Sequence, residues 1–185
     1  MKDYIATIKG MSPYSQSRPV MEDKLPKESH DAYEKRTWRE RMHSTEDGNV
    51  FIPPMALKNC LAECAKYLGI QIPGKGKATY TKHFEAGVMI MEPVVLPIKK
   101  EDAKGQWLFV PSDGRRGGSK RVYKCFPIIH QWGGDVRITV LDETITDEVL
   151  YQHLEQAGKF IGIGTFRPRN NGYFGRFDVV DFTEV

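Results

Sequence analysis

The chain has 185 residues, is 40% hydrophobic and carries a formal net charge of +3. That length supports one good core, and 28% charged with 11% aromatic residues excludes global disorder. So small a net charge decides nothing about partners, but its distribution does. Tyr4 to Ile8 alternates as a strand that ends at Gly10. Residues 11–49 form a polar excursion, with a charged helix near Asp31–Arg41 whose interleaved charges predict a solvent-exposed face. Asp47-Gly48-Asn49 signals a turn before a short strand, Val50-Phe51-Ile52.

Pro53-Pro54 opens the clearest helix, Met55 to Leu68, and Gly69 ends it. Leu57, Leu61, Cys64, Ala65 and Leu68 share one face; Lys58, Asn59, Glu63 and Lys66 share the other. Pro73-Gly-Lys-Gly-Lys77 is a flexible basic loop whose Lys75 and Lys77 lack the full phosphate-loop spacing, which excludes a nucleotide triphosphatase. A helical turn near Lys82–Ala86 follows it. Val88 to Met91, extending toward Leu96, reads as a buried strand. A second excursion, 97–134, contains Trp107, Trp132 and strand-like runs. Val136 to Leu141 alternates as the next strand. Thr146-Asp-Glu caps a helix with Leu150, Leu154, Ala157 and Ile161 on its core face, and Phe177–Phe182 is the closing strand.

Without its two excursions the order is strand, helix, strand, strand, helix, strand. That pattern predicts an α+β, ferredoxin-like βαββαβ core in a single domain over 1–185, with large insertions at about 11–49 and 97–134.

Two basic stretches stand out. Ser112 to Lys124 sets Arg115, Arg116, Lys120, Arg121 and Lys124 against Asp113 alone. Gly162 to Phe177 combines four glycines with Arg167, Arg169, Arg176, Phe166, Tyr173, Phe174 and Phe177, and contains no acid. Exposed backbone N–H groups, fixed cations and flat rings suit a polyanion with stackable bases. The aromatics serve equally well as core plugs, whereas three unpaired arginines have no use in a core.

Cys60, Cys64 and Cys125 are too few for a disulfide framework and suit a reducing compartment. Zinc is not expected, because finger-like ligand spacing is missing. The N-terminus lacks an apolar signal core and no window approaches a membrane span, so a cytoplasmic protein is expected. Among His30, His43, His83, His130 and His153, the last lies near the apolar side of its helix and reads as structural. His83, with Tyr80 and Lys82, is a candidate acid–base cluster, and Asp113 is a candidate cleavage residue or a turn-forming Asp-Gly.

Ile52-Pro-Pro-Met-Ala-Leu-Lys-Asn59 resembles the Ile-Pro-Gly-Ser-Ser-Leu-Lys-Gly entry of the RAMP superfamily, with Ile52, Pro53, Leu57 and Lys58 in corresponding places. Gly-Tyr-Phe-Gly-Arg-Phe177 is similar to that superfamily's C-terminal glycine-rich signature. RAMP proteins are RNA-recognition-motif-like and form backbone subunits of CRISPR effector complexes. The chain departs from the pattern around Pro54-Met55, where the family has small serines, and in its Arg-Pro-Arg loop. The ending also resembles that of compact phage and prokaryotic proteins, which places phage and antiviral-defence roles side by side.

The resemblance implies single-stranded RNA, or DNA, held along its backbone by neighbouring copies of the chain. Lys58 and the Arg167–Arg176 loop would face the strand. Lys75, Lys77, Arg115, Arg116, Lys120, Arg121, Tyr173 and Phe174 complete the candidate nucleic-acid-binding set. No cofactor, metal or catalytic residue is assigned. The alternatives are a RAMP-type endoribonuclease acting at a histidine and a structural or adaptor subunit of a phage or defence complex.

Overall fold

The computed structural model describes every residue from 1 to 185 except 116. In chain order the elements are β1 (Lys2–Gly10), α1 (His30–Thr37), β2 (Asn49–Ile52), α2 (Pro54–Leu68), α3 (Thr81–Gly87) and β3 (Val88–Met89). There follow β4 (Val94–Lys99), β5 (Lys104–Pro111), β6 (Arg121–Ile128), β7 (Gly133–Val140), α4 (Asp147–Gln156) and β8 (Phe177–Glu184). Four strands form one sheet in the order β3-β7-β1-β8, with every neighbouring pair antiparallel. Helix α2 connects β1 toward β3, and α4 connects β7 to β8. This is the ferredoxin-like α+β arrangement that the order of periodic segments predicts.

The alternation of β1 sends Tyr4, Ala6 and Ile8 to the buried face of the sheet. There they join Leu57, Leu61, Cys64 and Ala65 of α2, and Leu150 and Leu154 of α4, in one continuous apolar cluster. Helix α2 starts after Pro53 and stops where Gly69 adopts a left-handed conformation, φ 57°. Helix α4 is capped by the Thr146 hydroxyl, which accepts the Val149 N–H, and it ends in a π-helical turn, Ala157–Ile161.

The run from Val88 toward Leu96 divides instead of forming one strand. Only Val88 and Met89 join the sheet, and β4 leaves it to pair with β2 in a separate ribbon. Pro93 explains the break, because it has no N–H for a ladder and restricts the residue before it. The charged helix also differs from expectation. It ends at Thr37, continues as a 3₁₀ turn, Trp38–Arg41, and buries both Glu34 and Arg41. Those charges face the β5–β6 hairpin rather than water.

His153 lies fully inside α4's packing, stacked on Phe84 at 4.3 Å between ring centroids and meeting Tyr80 edge-on. Its Nδ1 is 2.7 Å from the Val149 carbonyl oxygen. Burial pushes its pKa below the ordinary value of 6.5, and burial followed by the nearby Arg18 charge does the same for His43. As the pH falls below about 6.5, the unfolded chain protonates first, so stability is full above that pH and declines toward the folded pKa. His153→Leu is expected to flatten this decline. Thermal melts between pH 5 and 7.5 measure it, each histidine contributing at most about 1.4 kcal/mol per pH unit.

Candidate nucleic-acid interface

The glycine-rich loop between α4 and β8 owes its shape to a segment at the other end of the chain. Residues 11–16 run beside it and exchange main-chain hydrogen bonds: Met11 N–H to Arg176 O, Gly175 N–H to Pro13 O and Thr165 N–H to Ser15 O, at 2.7–2.9 Å. The Ser12 hydroxyl accepts the Arg176 N–H at 3.0 Å. Gly175 has φ 74°, and a Cβ there would run into the Ile163 carbonyl oxygen, so glycine is required on both counts. The same segment binds the end of the hairpin, since Tyr14 and Ile129 exchange both main-chain hydrogen bonds. Gln16 is buried and fully engaged: its amide donates to Phe51 O and Tyr14 Oη and accepts the His43 N–H.

Between this brace, α1, the hairpin and the loop lies a groove of about 770 Å³. Arg18, Arg41, Arg115, Lys124 and His30 bring cationic or ionisable heads to its walls, while Tyr33, Phe126 and Phe166 bring rings. Phe166 occupies the left-handed region at φ 59°, and its ring meets Phe126 edge-to-face at 5.0 Å. The acid on the groove wall, Glu34, is already neutralised by Arg41 at 2.7 Å. A second cavity of about 320 Å³ continues from the first, sharing Ser17, Arg18, Pro19 and Thr165 and reaching Pro53 and Ala56. It therefore touches the N-terminal turn of α2, where no acid offsets the positive end of the helix dipole.

The residues singled out from sequence are distributed unevenly around this channel. Arg115 lines the groove, and Arg116 lies outside the described residues. Lys120 is exposed at the hairpin tip. Arg121 donates to Phe109 O at 2.9 Å, and its guanidinium lies 5.5 Å from the Phe109 ring centroid. Lys58 is half-buried and donates to the Phe84 and Glu85 carbonyl oxygens at 3.0 and 2.8 Å, closing the end of α3; burial lowers its pKa. Lys75 and Lys77 are exposed on a loop closed by the Gln71–Thr79 pairing, beyond the C-terminal end of α2 and so away from the second cavity.

The expectation of three unpaired loop arginines is corrected in two cases. Arg167 and Arg169 both pair with Glu63 on α2, each at 3.1 Å. A carboxylate about one hundred residues earlier in sequence reaches them only through the packing of the loop on the helix. Arg176 is half-buried, and its Nε lacks a hydrogen-bond partner among the described residues. Tyr173 is exposed, whereas Phe174 is a core plug that supports Phe166 and Tyr173 edge-on.

Sequence reasoning missed Arg18, His30, Tyr33, Arg41 and Phe126. Arg18 and His30 sit in a polar stretch with no periodicity, and only the fold brings them opposite the hairpin.

The thiols are all buried, and burial raises their pKa values, to about 12 for Cys64 and about 11 for Cys125. Among the described residues, no three His, Cys, Asp or Glu side chains converge as a metal site. No helix in that set is long and apolar enough to cross a membrane. His83 Nδ1 lies 2.6 Å from Asp142 Oδ2, while Lys82 points to solvent and Tyr80 is buried against His153.

No protein-family model matches the chain, and no curated protein matches it. Among solved structures, the chain is similar to one in the cryo-EM structure of the type III-B Cmr-beta bound to cognate target RNA. The TM-score is 0.56 at 8% identity, covering 100% of this chain and 60% of that one. Cmr6 from Pyrococcus furiosus aligns at 13% identity and a TM-score of 0.49, over 96% of this chain and 97% of its own. The strand order and the superposition on the Cmr-beta chain agree: the chain shares that chain's fold, built on a ferredoxin-like α+β core.

Proposed function

We propose that the chain binds single-stranded RNA as a subunit of a CRISPR-type ribonucleoprotein, associating with further copies of itself along the strand in the cytoplasm. The carrying observation is the groove, in which three segments remote in sequence bring Arg18, Arg115 and Lys124 together with Phe126 and Phe166. Cations at this spacing take backbone phosphates, and rings take bases by stacking, a sequence-tolerant mode worth about 1–3 kcal/mol per base. The second cavity reaches the positive end of α2, whose dipole favours a phosphate there. The fold shared with the Cmr-beta chain supports the reading by analogy. So does the resemblance of the two motifs to RAMP subunits, from which self-association is inferred.

Fluorescence anisotropy with matched single-stranded RNA, single-stranded DNA and duplex DNA tests this. The expected result is tightest binding to single-stranded RNA, with log affinity falling against log salt by about 0.7 for each phosphate contacted. Equal binding to the duplex would remove the single-strand reading. Absence of binding to all three would leave the basic surfaces as protein contacts.

A further inference from the structure

Outside the groove, one carboxylate holds two arginines in a fork. Glu63 Oε2 lies 3.1 Å from Arg167 Nη2, and Glu63 Oε1 lies 3.1 Å from Arg169 Nε. A planar carboxylate bridging two guanidinium groups occupies the geometry that a phosphate takes between two arginines. The three side chains are between 25% and 47% exposed, so solvent reaches them and the Coulomb attraction is screened. The fork borders a cavity of about 550 Å³ lined by Ala62, Glu63, Lys66, Tyr67, Glu85 and Arg169.

Beside it two large rings lie open to solvent. Tyr67 is 53% and Phe160 47% exposed, their centroids are 6.2 Å apart, and Arg169 lies 5.8 Å from the Tyr67 centroid. Burying these rings would be favourable, and no segment of the described chain covers them. Cations on one side and open rings on the other match one unit of a single strand, a phosphate with its base. Glu63 and Glu85 oppose such a strand, Lys66 favours it, and the balance turns on whether Glu63 keeps the fork.

We infer that the Arg167–Arg169 fork with the Tyr67–Phe160 rings is a second nucleotide subsite, and that Glu63 occupies its phosphate position until a strand displaces it. This rests on the strand-binding reading and extends the path from the groove across the outer face of α2. Displacement by an incoming phosphate frees Glu63 to solvent, so the subsite fills only when an adjoining segment is already bound. The groove takes the strand first, and the fork takes it next.

The test uses the full chain, single-stranded RNA long enough to span both regions, and anisotropy across a salt series. Glu63→Gln removes the competing charge while keeping the side chain's shape. It is expected to tighten binding about fivefold and to steepen the salt slope by about 0.7, one further phosphate contact. Adding Arg169→Ala to Glu63→Gln should bring both back toward wild type. Tyr67→Ala, at an exposed position outside the ion cluster, should weaken binding about threefold with the slope unchanged. Should Glu63→Gln fail to fold by circular dichroism, Tyr67→Ala and Arg169→Ala singly give the reading, and no loss from either overturns the subsite. Wild-type binding with no change in Glu63→Gln also overturns it and leaves the groove reading intact. Binding by Glu63→Gln alone supports the subsite and removes the groove. Binding by neither protein removes both.

Discussion

Glu34→Ala is expected to lower the unfolding free energy by about 3–5 kcal/mol, because it strands a buried charge. Glu34 Oε1 lies 2.7 Å from Arg41 Nη1 and accepts the Cys125 N–H at 2.9 Å. Arg41 in turn donates to the Cys125 carbonyl oxygen and rests 5.6 Å from the Phe126 centroid. One carboxylate therefore joins α1 to β6 and neutralises the groove wall at once. Removing it leaves a guanidinium and a backbone N–H without their partner in a dry position. Glu34→Gln keeps an acceptor for the N–H and should cost less, about 1–3 kcal/mol. Urea denaturation of the three proteins measures this. A loss below about 1 kcal/mol for Glu34→Ala would show that water reaches the site and that the pair is not holding the hairpin.

The groove prediction is as large, but it is read in binding. The triple variant Arg18→Ala, Arg115→Ala and Lys124→Ala is expected to weaken single-stranded RNA binding on the order of a hundredfold at moderate salt. The slope of log affinity against log salt should fall by about 2, one phosphate for each cation removed. Arg18 and Arg115 are exposed and Lys124 is half-buried, so the melting temperature should change little. Lys75→Ala with Lys77→Ala is the contrasting variant, because those side chains stand beyond the far end of α2. If that pair lowers the slope and the groove triple does not, the strand runs over the other end of the helix.

The parts of this fold legible in sequence are those whose burial is periodic. β1 shows its inward face in Tyr4, Ala6 and Ile8, and α2 shows Leu57, Leu61, Cys64 and Ala65 between proline and glycine stops. α4 was equally clear, because Thr146 caps it and Leu150, Leu154, Ala157 and Ile161 repeat at helical spacing. What periodicity hides is partner choice. Glu34 and Arg41 are seven residues apart in a charged run that looks solvated, and only the hairpin's arrival makes them interior. Arg167 and Arg169 looked unpaired because Glu63 lies on another element. Much of the groove escaped for the same reason: Ser17 to Val20 has neither pattern nor strong charge, and its role comes from what it is braced against.

The position of β1 constrains how the molecule is made. Its two neighbours, β7 and β8, begin at residues 133 and 177, so β1 has no strand partner until β7 has left the ribosome. Over that interval the apolar face of α2 has neither sheet nor α4 to cover it. Long-range pairing of this kind is slow, since the loop must be closed before any contact rewards it. The groove matures last, because its brace at residues 11–16 binds a loop that ends only where β8 begins. The groove is therefore complete only once β8 has joined β1 in the sheet.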